Sequence, residues 1–176
     1  MVALTPAFAC ASALLAVAGA MKLRTPAAAS GALRAMSLPA ATGAVRLVGA
    51  CELVAGSWAL ASPGRLSAGL VAAAYGGFAV FVAGLLRDRG RRTPGCGCFG
   101  SAEAEVHPIH LVLNLLAAGA ALAAAISPPP GVTEVIAHDA GVGVVLCAGV
   151  AAAVYAAYLV YTAAPAAWRA YRREAA

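Results

Sequence analysis

The chain has 176 residues, of which 62% are hydrophobic and only 11% are charged. Soluble domains carry about 25% charged residues, so this composition, with a mean hydropathy of +0.86, excludes that class and predicts an integral membrane protein. A membrane-spanning helix needs about 20 apolar residues, which leaves room for roughly four or five spans. The net charge of +5 does not indicate nucleic-acid binding, because the basic residues flank the apolar segments as topology signals do.

Five apolar segments are predicted to span the membrane, so the predicted fold is all-α. The first, residues 2–21, is interpreted as a retained span rather than a signal peptide, because no basic segment precedes it. Residues 27–38 are predicted to form a short interfacial helix. The stretch at residues 127–131 is predicted to be a stiff proline-rich linker, followed by a loop. The remaining spans are predicted at residues 42–61, 66–86, 109–126 and 141–163.

Two regions are expected along the chain. Residues 1–126 form a four-helix membrane domain with a cysteine-containing loop, and residues 127–176 form a loop, a fifth span and a basic tail. With all five spans in place, every one of the 12 lysines and arginines except Arg65 lies on one side of the membrane. Cytoplasmic loops are enriched in these residues, so we expect the N-terminus outside and the C-terminus and cysteine loop on the cytoplasmic side of a bacterial-type plasma membrane.

Cys96 and Cys98 stand in the densest group of reactive side chains, the stretch TPGCGCFG at residues 93–100. Two arginines directly precede it, and nearby cations favour the reactive thiolate form of cysteine. The glycine between the cysteines loosens the backbone, and the phenylalanine after them can cover the sulfurs. Strained, exposed disulfides are the labile, catalytic kind, so the spacing predicts a redox-active pair. The supporting residues around the pair are Arg91, Arg92, Gly97 and Phe99.

Two other interpretations of this stretch stay open, a zinc site and a purely structural loop. Zinc binds mixed sets of cysteine and histidine, although a single residue between the two cysteines is closer than the usual spacing. His110 and Asn114 are also predicted to share one face of the fourth span, because they are four residues apart. The candidate zinc ligands are Cys96, Cys98, His107 and His110.

Glu52 is a candidate functional residue, because ionisable side chains inside a span are costly and usually serve a purpose. A structural ion pair with Lys22 and a role in proton handling are both open. Cys51 is interpreted first as packing and second as an electron relay to the cysteine pair. Cys10 and Cys147 behave as small hydrophobes within apolar runs. Three tyrosines are interpreted as a helix-packing stripe: Tyr155, Tyr158 and Tyr161.

The sequence AGAMKLRTP at residues 18–26, together with Glu52, resembles the first two helices of the DoxX-like superfamily. The sequence PGCGCFG at residues 94–100, followed by a helix with Asn114, resembles the methylamine-utilisation MauE family within that superfamily. The resemblance implies a four-helix membrane bundle, here with an added fifth span. The chain also has Leu113 where the family often has a basic residue. Residues that match the family's polar pair and its motif cysteines are Lys22, Glu52, Cys96 and Cys98.

The resemblance implies a membrane-embedded thiol–disulfide oxidoreductase with a thioredoxin-like partner, acting in maturation of the disulfide-rich methylamine dehydrogenase. A redox-active disulfide is the implied redox group, and a membrane quinone is a candidate second electron carrier. The alternative is a non-catalytic scaffold subunit with a structural or zinc-bound loop. The family's partner is periplasmic, whereas the charge count puts the cysteine loop on the cytoplasmic side.

Overall fold

The computed structural model of the chain describes residues 4–87, 106–163, 167–168, 170–171 and 173. Five of its helices are long and apolar enough to cross a membrane, and the described residues form no strand. The prediction of an all-α, multi-pass membrane protein is therefore confirmed. The helices are α1 (Leu4–Arg24), α2 (Pro26–Ala35), α3 (Thr42–Ala61), α4 (Arg65–Arg87), α5 (Pro108–Ile126), α6 (Val132–His138) and α7 (Ala140–Thr162).

The region after α5 differs from the prediction, because residues 132–138 form the short helix α6 rather than a loop. This helix is fastened to the end of α3, where the Thr133 hydroxyl donates a hydrogen bond of 2.7 Å to the carbonyl oxygen of Ala61. Gly131 lies directly against the same carbonyl, and a Cβ there would come within 2.5 Å of that oxygen. Helix α6 also packs against α7, where Ile136 lies directly against Gly143.

Helix α1 lies at the centre of the bundle and contacts α2, α3, α4, α5 and α7. Its buried face carries Phe8 and Leu15, which pack in one apolar cluster with Val71 of α4 and Ala121 of α5. The Tyr75 hydroxyl of α4 donates a hydrogen bond of 2.8 Å to the carbonyl oxygen of Ala11. Helix α7 is the least buried of the five long helices and covers one side of α1.

Glycines set the close contact between α1 and α3. A Cβ on Gly56 would lie 2.5 Å from the carbonyl oxygen of Ser12, and one on Gly49 would lie 2.9 Å from that of Gly19. Small residues of this kind let helix backbones approach closely inside a membrane. Because residue 56 lies opposite residue 12 and residue 49 opposite residue 19, the two helices run antiparallel.

One end of the bundle collects the last turns of α1 and α4, the helix α2 and the first turns of α3 and α5. Met36, just after α2, reaches Gly84 of α4, and it packs on an apolar cluster that contains Leu85 and Val106. We call this end the basic end, because Arg24, Arg34 and Arg87 lie there. Helix α6 and the turn between α3 and α4 lie at the opposite end.

Candidate functional site

A buried ion pair joins α1 to α3 near the basic end. The Lys22 Nζ lies 2.6 Å from the Glu52 Oε2, and the two side chains are only 10% and 5% exposed. In a helix each side chain leans toward the N-terminus of its own helix. Since α1 and α3 are antiparallel, the two side chains lean toward each other along the contact that Gly19 and Gly49 keep short.

The ion pair leaves hydrogen-bonding capacity unused. The Glu52 Oε1 is buried and has no hydrogen-bond partner among the described residues. The Lys22 ammonium has three donors, and its one hydrogen bond within the described chain goes to Glu52 Oε2. The ammonium also lies 4.7 Å from the centre of the Phe78 ring, a favourable cation–π arrangement. One acceptor and spare donors are therefore available beside each other.

A cavity of about 360 Å³ adjoins this ion pair. Apart from Lys22 and Glu52, its walls are apolar and come from α2, α3, α4 and the connection before α3. Two residues of its wall, Ala44 and Val48, are also exposed on the surface of α3. The wall also includes Ala29, Phe78 and Phe81.

A second polar group links α5 to α7, and it is centred on the fully buried ring of His110. The His110 Nδ1 accepts a hydrogen bond of 3.3 Å from the backbone N–H of His107. The neutral ring therefore carries its proton on Nε2, which lies 3.1 Å from the carbonyl oxygen of Tyr161 and donates to it. The rings of His110 and Tyr161 stack with their centres 5.2 Å apart.

Asn114 completes this second group, as its predicted position on the same face as His110 suggests. The Tyr161 hydroxyl donates a hydrogen bond of 3.1 Å to the Asn114 Oδ1, whereas Nδ2 is buried without a partner among the described residues. Sequence reasoning interpreted Tyr161 only as packing. The predicted order of the spans brings the end of α7 to the same end of the bundle as the start of α5, but it does not indicate which tyrosine meets Asn114.

Cys51 precedes Glu52 in the sequence, but the two side chains point to different sides of α3. Its side chain is exposed on α3, whereas that of Glu52 is buried against α1. The thiols of Cys51, Cys10 and Cys147 are all free. Within the part of the chain that the structure describes, no two of these cysteines form a pair. The structure therefore does not support the interpretation of Cys51 as an electron relay.

The predicted redox pair and its immediate neighbours fall within residues 88–105, outside the described residues. The two ends of that segment are described. Arg87 ends α4, and Val106 is buried in the apolar cluster with Val82 and Leu85. The two residues that flank the segment therefore both lie at the basic end. The predicted site residues within it are Arg91, Arg92, Cys96, Gly97, Cys98 and Phe99.

The two histidines of the alternative zinc set, His107 and His110, make hydrogen bonds at the start of α5. His107 caps the helix, and its Nδ1 accepts a hydrogen bond of 3.2 Å from the backbone N–H of Ile109. Both ring nitrogens of His110 are engaged, so zinc binding there would break one of its hydrogen bonds. Within the described ranges, no group of three or more potential ligand residues is placed to hold a metal ion.

A model of the family described as methylamine utilisation protein MauE matches residues 1–127 of the chain. The matched range contains the ion pair, His110, Asn114 and the CGCFG stretch, and it ends directly after α5. Helices α6 and α7, with Tyr161, lie beyond it. No curated protein and no solved structure matches the chain.

Proposed function

The chain belongs to the MauE family, and from this premise we propose that it performs thiol–disulfide exchange through Cys96 and Cys98. The observation that carries the proposal is the CGCFG stretch within the matched residues 1–127. Its two thiols lie one glycine apart in a segment whose flanking residues, Arg87 and Val106, belong to the basic end.

In the oxidising direction for the chain, one of the two thiolates attacks the disulfide of a partner protein. A mixed disulfide forms and one partner thiolate leaves. The second cysteine then attacks the mixed disulfide, which closes the Cys96–Cys98 bond and releases the second partner thiolate. Two electrons pass from the chain to the partner, and the thiolates take up or release protons from water. The reverse sequence oxidises the partner.

The surroundings support this proposal over the zinc alternative. His110 keeps both ring nitrogens in hydrogen bonds and is fully buried, so it is poorly suited to join two cysteines around a metal. Arg91 and Arg92 would favour the thiolate of the pair by their positive charge. Lys22 and Glu52 would act as positioning residues by holding α1 against α3.

A thioredoxin-like protein is the proposed partner, and maturation of a disulfide-rich enzyme such as methylamine dehydrogenase is the proposed process. Both parts of the proposal rest on family membership. The orientation with a cytoplasmic C-terminus rests on the distribution of lysine and arginine along the sequence, in which all but Arg65 are predicted to lie on one side of the membrane. A partner on the periplasmic side would require the opposite orientation of the bundle, an electron relay across the membrane, or a cysteine loop that can be reached from either side.

The test is a redox titration of the protein in membranes. Membranes are equilibrated with glutathione mixtures of increasing potential and then treated with a maleimide that adds mass to each free thiol. We expect the thiols of Cys96 and Cys98 to disappear together and reversibly, as a two-electron couple for which each 30 mV corresponds to about a tenfold change. Cys96→Ser should abolish the titration.

Cys147→Ser is the matched control, because Cys147 is a free, exposed cysteine on α7 and its loss should leave the titration unchanged. Thiols that stay reduced at every potential would contradict the proposal and favour the scaffold alternative. Thiols that become reactive only after treatment with a chelator would instead indicate the zinc site.

A further inference from the structure

The cavity beside Lys22 and Glu52 combines features that the thiol chemistry does not use. Its volume of about 360 Å³ falls in the range of small-molecule sites, roughly 300–1,000 Å³. Apart from Lys22 and Glu52 its walls are apolar, and the wall residues Ala44 and Val48 are exposed on the surface of the membrane-spanning helix α3. A solute dissolved in the bilayer can therefore reach it without passing through water.

The polar groups of the cavity define the head group that fits it. The Glu52 side chain is only 5% exposed, and its Oε1 lacks a hydrogen-bond partner in the described chain. The Lys22 ammonium, already paired with Oε2, has donors left over. Glu52 balances the charge of Lys22, so neither an anionic nor a cationic head group gains from the site. A neutral group that both donates and accepts completes it, and a hydroxyl is the smallest such group.

We propose that this cavity binds a neutral, membrane-soluble molecule with a hydroxyl head and an apolar body. The hydroxyl accepts a hydrogen bond from Lys22 Nζ. Because Glu52 Oε1 is buried, the carboxylate turns toward the cavity to accept the hydrogen bond that the hydroxyl donates. The apolar body lies against Phe78, Phe81 and the wall of α2. Aromatic and aliphatic alcohols share this chemistry, and the two aromatic rings in the wall favour an aromatic body.

The experiment measures binding to the full chain in phosphatidylcholine nanodiscs. Radiolabelled 4-butylphenol is the probe, and its methyl ether, 4-butylanisole, is the matched ligand without a hydroxyl donor. Hydrogen bonds to charged groups are strong enough that we expect the phenol to bind saturably and at least about tenfold more tightly than the ether. Competition with 1-octanol shows whether the cavity also binds aliphatic alcohols or prefers aromatic ones.

Two substitutions on α2 locate the binding site. Ala29→Phe fills the cavity and should abolish saturable binding, whereas Ala27→Phe, on an exposed position of the same helix, should leave it unchanged. The double variant Lys22→Met with Glu52→Leu keeps an apolar cavity. It should bind phenol and ether equally well, and it keeps the test valid if Ala29→Phe fails to fold.

Equal affinity of wild-type protein for 4-butylphenol and 4-butylanisole would overturn the proposal, since the hydroxyl would then go unrecognised. Identical binding by the Ala29→Phe and Ala27→Phe variants would overturn it as well, because the probe would be bound elsewhere. None of these measurements depends on Cys96 or Cys98, so their outcome is independent of the proposed thiol–disulfide exchange.

Discussion

Lys22 and Glu52 face each other where neither charge can be fully hydrated. Each side chain is stabilised chiefly by the other, at 2.6 Å, and Lys22 also by the face of the Phe78 ring. Sequence reasoning identified Glu52 as unusual because it is an acid within an apolar segment. It also named Lys22 as a partner, but the vacant Oε1 could not be predicted, because it depends on how the carboxylate is turned in the packed structure.

Replacing one partner of this pair is expected to destabilise the protein more than replacing both. Glu52→Leu leaves the Lys22 charge buried and should lower the free energy of unfolding by about 3–5 kcal/mol. The double variant Lys22→Met with Glu52→Leu removes both charges and should recover most of that loss. Unfolding in mixed micelles with increasing dodecyl sulfate measures both values. Additive losses from the two single substitutions would contradict the expectation.

The second polar group shows which residue-level features a sequence can supply. The spacing of His110 and Asn114 placed them correctly on one helix face, because helical periodicity is a local property. Tyr161 is 47 residues from Asn114, and its hydrogen bond to it depends on the packing of α7 against the bundle. The regular spacing of the tyrosines predicted packing, and it gave no information about which hydroxyl would be buried beside a polar neighbour.

At the scale of the helices, only a few of the glycines are needed for the close approach of two backbones. Alanine and glycine are so common in this chain that pairs of small residues did not predict which helices touch. The structure singles out Gly19, Gly49 and Gly56, where a side chain would collide with the facing backbone. Other glycines, such as Gly77 in α4, have open space around them.

Gly56→Ala is expected to push α1 and α3 apart and lower the free energy of unfolding by about 1–3 kcal/mol, the usual cost of overpacking. The added Cβ would lie 2.5 Å from the Ser12 carbonyl oxygen and 2.7 Å from the Ala16 backbone nitrogen. Gly77→Ala is the control, and it should be neutral or stabilising by up to about 1 kcal/mol because alanine favours helix. Thermal unfolding in detergent compares the two, and equal effects would contradict the assigned contact.

The number and positions of the long helices were predictable, because hydropathy over about 20 residues reflects the thickness of the bilayer. Helix α3 has the predicted limits, and the other long helices differ from prediction by a few residues at their ends. Helix α6 was missed because its seven residues are too few for a periodic pattern. In the fold it packs against α7 and is joined to α3 by the hydrogen bond between Thr133 and Ala61, and neither contact is a local property of the sequence.

At the scale of the whole molecule, the structure gathers the chemically distinctive residues at one end. The ion pair, His110 and both anchors of residues 88–105 lie in the half of the bundle toward the basic end. The order of the spans predicted this arrangement, because alternating spans return to the same side. The cavity was not predictable, since its walls come from four helices and a connection that meet only in the folded protein.

The charge distribution predicts that the basic end faces the cytoplasm. In a background without native cysteines, Ser37→Cys reports on the basic end and Glu134→Cys on the opposite end, because both positions are exposed. A membrane-impermeant maleimide added to intact cells should label Glu134→Cys at once and Ser37→Cys only after permeabilisation. The reverse pattern would show that the cysteine segment is anchored on the outer side.

The ion pair between α1 and α3 also bears on how the protein enters the membrane during synthesis. A lone acid near the centre of a span adds about 2.5–3.5 kcal/mol to the cost of insertion on translocon-based scales. Helix α1 is made first and brings Lys22, so the arriving α3 can insert with its counter-ion already in place. We expect Lys22→Met to reduce the fraction of α3 that inserts, as measured by glycosylation mapping, and Lys22→Arg to preserve it. The first helix would then be a template for the insertion of the next.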